Sequence, residues 1–320
     1  MNYRRLGRAG IKVSEIGLGG WLTFGRGVSD DVGRSCLRRA FELGVNFFDS
    51  ADVYARGANE EFFGRELKAF RRQDLVIATK CFFPMSDAPN DRGLSRKHVF
   101  ESVHASLQRL QTDYIDLYQC HRHDSEVEMF ELVRAMDDLI RQGKILYWGV
   151  SEWPALEIKN AVSIARELGA CPPVSNQPEY SYAARRVETN GVQSACLQDG
   201  LGMVVWSPLK QGLLTGKYAS GTPTDSRAAS DTMGGFLKEI PRNLIERVEA
   251  LRPVAQRCGG TLAQLALAWL LHRPALSSVI IGASRVAQVE ENVGAAAIAA
   301  RLTQADFDAI DEKFPAASNP

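Results

Sequence analysis

No two cysteines in this chain stand in a C-x-x-C pair, although six are present: Cys36, Cys81, Cys120, Cys171, Cys196 and Cys258. Zinc ribbons and thioredoxin-like redox centres need that spacing, so neither is expected. Scattered thiols in a long chain read instead as the reduced cysteines of a cytoplasmic protein. Histidine is scarce, with five residues. Net charge is missing altogether, 38 basic side chains balancing 38 acidic ones. Proteins that bind nucleic acid or membrane surfaces are usually basic, so those partners are not expected. No apolar run approaches the roughly 20 residues of a membrane span. The opening MNYRRLGRAG is positively charged but lacks the apolar stretch of a signal peptide. Low-complexity tracts and interdomain linkers are absent too. What remains is 320 residues, 45% hydrophobic and 24% charged. That composition supports a large core, and the length is ordinary for one α/β barrel domain across residues 1–320.

One pattern recurs along the chain: an amphipathic segment ends in glycine and a short apolar run follows. Gly44 precedes Val45–Phe48, Gly143 precedes Ile145–Val150, Gly169 precedes Val174, and Gly200 and Gly202 flank the approach to Met203–Trp206. Glycine supplies the left-handed residue just past a helix C-terminus, so helix, glycine, strand reads as a βα array. Eight strands are predicted: 16–18, 45–48, 75–79, 115–119, 145–150, 174–176, 203–206 and 279–281. The clearest helices are predicted over 31–43, 95–110, 127–141, 156–168, 242–258 and 262–272. Near-continuous apolar strands imply burial on both faces and hence a parallel sheet. Eight such units point to a closed (β/α)8 TIM barrel, with a doubly wound open sheet as the alternative. An N-terminal hairpin, 3–6 with 11–13, is placed to cover the barrel bottom, and the glycine-rich 207–240 reads as a long binding loop.

In such a barrel the active site lies at the C-terminal strand ends. There the sequence places Asp49 and Tyr54, then Lys80, His121, Ser151, Asn176 and Gln177, Trp206-Ser207-Pro208-Leu209, and Gly282 to Arg285. An acid, a phenol, an ammonium and an imidazole thus converge on one mouth. A free phenol has a pKa of about 10 and donates poorly near neutrality. An adjacent ammonium favours phenolate and should lower that value. Asp49 would hold Lys80, Lys80 would tune Tyr54, and Tyr54 could then protonate an oxygen that His121 orients. Protonating a developing alkoxide requires a hydride donor, which no side chain supplies, so a nicotinamide cofactor is implied.

The segments FFDSADVYARGANEEFFGREL, VIATK, DLYQCHRHD, GVSEW, SNQPEYS, WSPLKQGLLTGKY and IIGASRVAQVEENVGA, in this order, resemble the aldo-keto reductase superfamily. The likeness covers nearly the whole chain and is nearest to the branch that holds potassium-channel β subunits and their bacterial relatives. It implies an NADPH-dependent carbonyl reductase on a hairpin-capped barrel, with Asp49, Tyr54, Lys80 and His121 as the catalytic set and a small carbonyl compound as substrate. Cofactor contacts are implied at Gly20, Trp21, Ser151, Asn176, Gln177 and Trp206 for the nicotinamide. Ser207, Pro208, Leu209, Gly212, Lys217 and Arg227 fall to the pyrophosphate, and Gly282, Ser284, Arg285, Gln288, Glu291 and Asn292 to the adenosine end. An Arg285 guanidinium suits a 2′-phosphate and favours NADPH (NADP+) over NADH. Trp21, Phe24, Phe82, Phe83 and Trp153 are expected to wall the substrate pocket. The same branch implies an alternative role as a regulatory, redox-sensing subunit. Relatives of that kind often carry Asn where this chain has His121, which favours turnover here.

Two imitations weigh less. GLGGW (17–21) followed by Asp49 mimics a dinucleotide fingerprint, but the acid lies 32 residues on where about 20 are expected. His121-Arg122-His123 mimics a metal motif, yet His98, His104 and His272 fall on or at the end of predicted helices, so no metal is expected.

Overall fold

The computed structural model describes residues 1–221, 223 and 240–316. A two-stranded antiparallel hairpin, β1 (Tyr3–Arg5) and β2 (Lys12–Ser14), opens the chain. Eight strands follow: β3 (Ile16–Gly19), β4 (Phe47–Asp49), β5 (Val76–Cys81), β6 (Ile115–Cys120), β7 (Ile145–Ser151), β8 (Ser175–Gln177), β9 (Gly202–Val205) and β10 (Leu276–Ile281). They pair parallel in chain order, and β10 closes on β3. The fold is the expected (β/α)8 barrel. The open-sheet alternative fails because no strand between β3 and β10 is left with a free edge.

Helices α1 (Asp30–Glu42), α2 (Ala58–Leu67), α3 (Arg96–Leu110), α4 (Met129–Arg141), α5 (Ala155–Glu167), α6 (Arg186–Thr189), α7 (Val192–Asp199), α8 (Arg242–Glu249), α9 (Arg252–Arg257), α10 (Leu262–Leu271), α11 (Val286–Val293), α12 (Ala295–Ala299) and α13 (Gln304–Lys313) surround it. The single helix predicted over 242–258 is two. Pro253 sits in the first turn of α9, where its missing N–H costs nothing, and so starts a new helix instead of extending α8. Helix α10 begins with a capping box, Thr261 and Gln264 each bonding the other's backbone. The predicted 207–240 loop holds a helical turn over 210–215. The remainder of that loop from 224 to 239, Arg227 included, lies outside the described residues.

Strand periodicity divides the barrel interior into two storeys, because residues i and i+2 share a face. Phe47, Val76, Ala78, Leu117, Val204 and Ile280 fill the lower one, and Leu6 and Val13 of the hairpin plug it from below. The hairpin turn approaches β9 so closely that a Cβ on Gly7 would lie 2.2 Å from the Gly200 carbonyl oxygen. Two residues further along the same faces stand Asp49, Lys80, Gln119 and Gln177. The upper storey is therefore polar, over an apolar floor. The opposite strand faces, including Phe48, Ile77, Cys81, Tyr118 and Trp148, join the large core under the helices.

Candidate active site

Asp49 is the last residue of β4 and Lys80 the penultimate residue of β5, so both stand on the barrel wall and not on loops. Both are buried, and Lys80 is fully inaccessible. Its Nζ donates to Asp49 Oδ2 at 2.6 Å, to the Ser50 carbonyl at 2.7 Å and to Tyr54 Oη at 3.3 Å. An ammonium has three N–H groups, and all three are taken. Tyr54 Oη is an acceptor in this pairing, which leaves its own O–H to point at another oxygen. Asp49 Oδ1 accepts from the amides of Gln119 at 3.2 Å and Gln177 at 2.9 Å, so the buried carboxylate is neutralised by one cation and oriented by two amides.

The His121 ring stands 5.7 Å from that of Tyr54, inclined at 75°, with Phe83 behind it at 4.9 Å. Its Nδ1 is buried with no hydrogen-bond partner among the described residues. Burial, helped by the charges of Lys80 and Arg122, pushes the imidazole well below its usual pKa, so His121 is neutral at pH 7. Lys80 pulls the Tyr54 pKa down as expected, but the expected net lowering needs correction. Burial raises it and outweighs the pull of Lys80, and the net direction is upward. Burial acts to lower the Lys80 pKa, but Asp49 and Tyr54 outweigh it and the ammonium is retained. The resting pair is a neutral phenol against a charged amine.

Tyr54 opens a tight turn in which Ala55 and Arg56 both have left-handed backbones, φ 50° and 52°. Such geometry costs a non-glycine residue on the order of 1 kcal/mol, and it occurs here twice in succession beside the phenol. Asn59, fully buried on α2, steadies the rim. It donates to the carbonyls of Gly20 at 3.1 Å and Phe24 at 2.9 Å and accepts from Ser50 Oγ at 2.6 Å. A Cβ on Gly20 would lie 2.3 Å from that amide, so Gly20 serves a close approach. Neither Asn59 nor Gln119 carries a motif that marks it in the sequence. Period-two counting back from Lys80 and Asp49 along neighbouring strands does find Gln119.

Apart from Gly20 and Trp21, which follow β3, the implied cofactor residues among those described lie on or after β7 to β10. Ser151 Oγ donates to the Gln177 carbonyl at 2.9 Å. Gln177 Nε2 donates to Asp49 and, at 3.3 Å, to Gln119, so only its Oε1 is left for a ligand. Trp206 is held by a 2.9 Å bond from Nε1 to Glu152, with Trp21 edge-on at 6.3 Å. Glu152 itself, with φ 56°, also takes the Glu179 N–H and Arg186, and is a further organiser with no signature in the sequence. Beyond β9, Ser207 Oγ is buried without a partner among the described residues, as suits a site completed by a ligand. Pro208 is buried and Leu209 packs on the core. The Lys217 side chain arches over Gly212, where a Cβ would lie 2.7 Å from its Nζ. At α11, Gly282, Ser284 and Arg285 are exposed, and Gln288 Oε1 takes the Ser284 N–H at 2.8 Å. Glu291 accepts from Thr261 Oγ1 at 2.7 Å, and Asn292 is buried.

Three sequence expectations are not met. Gln177 points into the barrel, so the pleat turns Asn176 outward. There it lies beside Cys196 of α7, whose thiol burial pushes up to about 12, and both of its amide atoms are buried without a hydrogen-bond partner among the described residues. Asn176 does not reach the mouth. Phe24 stacks on Phe62 at 5.0 Å and is almost wholly buried, as is Trp153, which packs edge-on to His123. Both are core residues and not pocket walls. No group of His, Cys, Asp and Glu among the described residues is arranged to hold a metal ion.

Behind Tyr54, Asp52 is fully buried. It accepts from Ser102 Oγ at 2.9 Å and the Val53 N–H at 2.6 Å, while neighbouring Glu60 is bonded by Thr79 and Arg109. Burial, then the Glu60 charge, raises the Asp52 pKa from 3.8 to about 7. The folded state therefore keeps a proton that the unfolded chain releases near pH 4, so Asp52 removes stability as pH rises from about 4 to about 7. Asp52→Asn should abolish this slope and be the more stable protein at pH 8, by roughly 2–4 kcal/mol. Denaturant titrations of both proteins at pH 5 and pH 8 check this; an unchanged difference between the two pH values would refute it.

A family model described as the aldo/keto reductase family matches residues 15–314. The chain is 42% identical over 317 residues to a probable voltage-gated potassium channel subunit beta of Arabidopsis thaliana, covering 98% of this chain and 96% of that one. It is 41% identical over 315 residues to a protein of the same description from Oryza sativa subsp. japonica, with 97% and 96% covered. It is 42% identical over 317 residues to a putative voltage-gated potassium channel subunit beta of Schizosaccharomyces pombe, with 97% and 92% covered.

Proposed function

The chain belongs to the aldo/keto reductase family, and from that premise we propose that it reduces aldehydes or ketones to alcohols with NADPH, Tyr54 being the proton donor. The observation that carries this reading is the saturated Lys80 ammonium, which occupies a lone pair of Tyr54 Oη and so turns the phenolic proton toward the mouth. When bound, the reduced nicotinamide would be the source of hydride for the carbonyl carbon. As the C–H bond forms, the C=O π pair moves onto oxygen, and the Tyr54 O–H proton passes to that oxygen. The high resting pKa of Tyr54 is no obstacle, because an alkoxide is a far stronger base than a phenolate. Lys80 stabilises the phenolate left behind, Asp49 keeps Lys80 charged and aimed, and neutral His121 orients the carbonyl oxygen. Water then returns a proton to Tyr54.

Ser151, Gln177 and Trp206 would hold the nicotinamide end. Ser207, Leu209, Gly212 and Lys217 would hold the phosphates, and Ser284, Arg285, Gln288, Glu291 and Asn292 the adenosine end, with Arg285 for a 2′-phosphate. The unpartnered Ser207 hydroxyl and the fixed Trp206 ring support the fit. The names of the relatives favour a second reading, a cofactor-binding subunit that regulates a partner and turns over slowly. No described helix is long and apolar enough to cross a membrane. NADPH consumption against a panel of aldehydes and ketones separates the two readings. Multiple turnovers on at least one carbonyl support the reductase, and tight NADPH binding with no turnover on any supports the regulatory subunit.

A further inference from the structure

Beside Tyr54 lies a cavity of about 400 Å³, lined by Gly25, Arg26, Val53, Ala55, Arg56 and Pro84. These residues come from the loops after β3, β4 and β5. In the ring of strands, β5 stands opposite β9 and β4 opposite β8. Arg56 and Pro84, after β4 and β5, are therefore across the mouth from the residues after β9 assigned to the cofactor phosphates, while Arg26 follows β3, two strands round from β9. Neither Arg26 nor Arg56 makes an ion pair or a side-chain hydrogen bond among the described residues. Arg122, on the next loop round, lies over Phe83 with its guanidinium carbon 5.4 Å from the ring centroid, and among the described residues its side chain bonds only its neighbour's carbonyl, at 2.5 Å. Many of the described arginines are paired with carboxylates, as Arg34, Arg39, Arg72, Arg109, Arg185 and Arg252 are. Arg26 and Arg56, without such a partner among the described residues, line this one cavity, and Arg122 stands on the next loop round. Arg56 belongs to the strained turn of consecutive left-handed residues, Ala55 and Arg56, that directly follows Tyr54 in the chain.

We propose that the preferred substrate is an anionic aldehyde or ketone, its carboxylate or phosphate held at this rim by Arg26 and Arg56 with Arg122 adding to the field, while its carbonyl reaches Tyr54 and His121. The inference rests on the reductase reading above and names its substrate class. Guanidinium groups bind both oxyanions through paired N–H bonds, so carboxylate and phosphate are separated by measurement.

The test compares matched pairs on the full-length protein with NADPH: succinic semialdehyde against butanal, and glyceraldehyde 3-phosphate against glyceraldehyde. The readout is the ratio of kcat/KM, anionic over neutral. A ratio on the order of 10 or more is expected for at least one pair, shrinking as salt rises. The ratio should fall several-fold in Arg26→Gln and in Arg56→Gln, furthest in the double variant, and should be partly kept in Arg56→Lys. Whichever pair shows the larger ratio identifies the anion. Ratios near one in the wild type, or variants that slow both members of a pair equally, would overturn the proposal. Should no carbonyl be reduced, the reductase reading fails on its own, and this one is decided by binding. Tryptophan fluorescence titrations with succinate and with inorganic phosphate should then saturate more weakly in the double variant; no binding, or equal binding, sinks it.

Discussion

Tyr54→Phe is expected to lower kcat for carbonyl reduction by roughly 10³-fold or more while leaving the dissociation constant for NADPH within about threefold. The substitution removes one oxygen. That oxygen touches Lys80 at 3.3 Å and no other described residue through a hydrogen bond, and the ring remains to pack against His121. Lys80 keeps its two shorter bonds, to Asp49 and Ser50. The barrel wall is therefore unaltered, and the variant should unfold at nearly the wild-type denaturant concentration. The proton needed at the alkoxide then has to come from water or from His121, whose neutral imidazole holds a single N–H and lies in a site that disfavours its charged form. Steady-state rates and a fluorescence titration with NADPH check both halves. A variant that keeps more than a tenth of the wild-type kcat would remove Tyr54 from the role assigned to it.

The second large effect is on stability as well as turnover. Lys80→Met should destabilise the fold by roughly 3–5 kcal/mol, because it strands the buried Asp49 carboxylate without its cation. Asp49→Asn strands the buried ammonium in the same way. The double variant Asp49→Asn/Lys80→Met should regain most of that loss, since an asparagine oxygen can still accept from Gln119 and Gln177 while methionine fills the volume of the lysine stem. All three should be catalytically crippled, with no recovery in the double variant. Denaturant curves and kcat for the four proteins complete the cycle. Additive stability losses would mean that the pair is not coupled, and a recovery of turnover in the double variant would mean that the charge on Lys80 is not used in the reaction.

Much of the site is legible in the sequence. The strand positions predicted from short apolar runs fall within three residues of those observed, and the four catalytic candidates do meet at one mouth. The misses have physical causes. Asn176 and Gln177 look alike as residues after a strand, but both belong to β8, and a pleated strand cannot aim two consecutive side chains the same way. Phe24 and Trp153 follow strands and look like pocket walls, but adjacent aromatic surface, Phe62 for one and His123 for the other, draws them into the core. Glu152 stays hidden because an acid after a serine carries no signal of its own. Its importance lies in the Trp206, Glu179 and Arg186 groups that converge on it from distant parts of the chain.

The sequence by itself determined the array of eight βα units and the end of the barrel at which the four catalytic candidates collect. Both follow from local rules, the strand period and the common direction of parallel strands. Only the tertiary structure decided that Lys80 saturates its three donors on Asp49, Ser50 and Tyr54, and that burial outweighs the lysine in setting the Tyr54 pKa. It alone showed that Arg26 and Arg56 share a cavity. Those outcomes depend on distance and on exclusion of water among groups up to 31 residues apart in the numbering, as Asp49 and Lys80 are. Desolvation is a property of what surrounds a group, and a linear order of residues does not carry it.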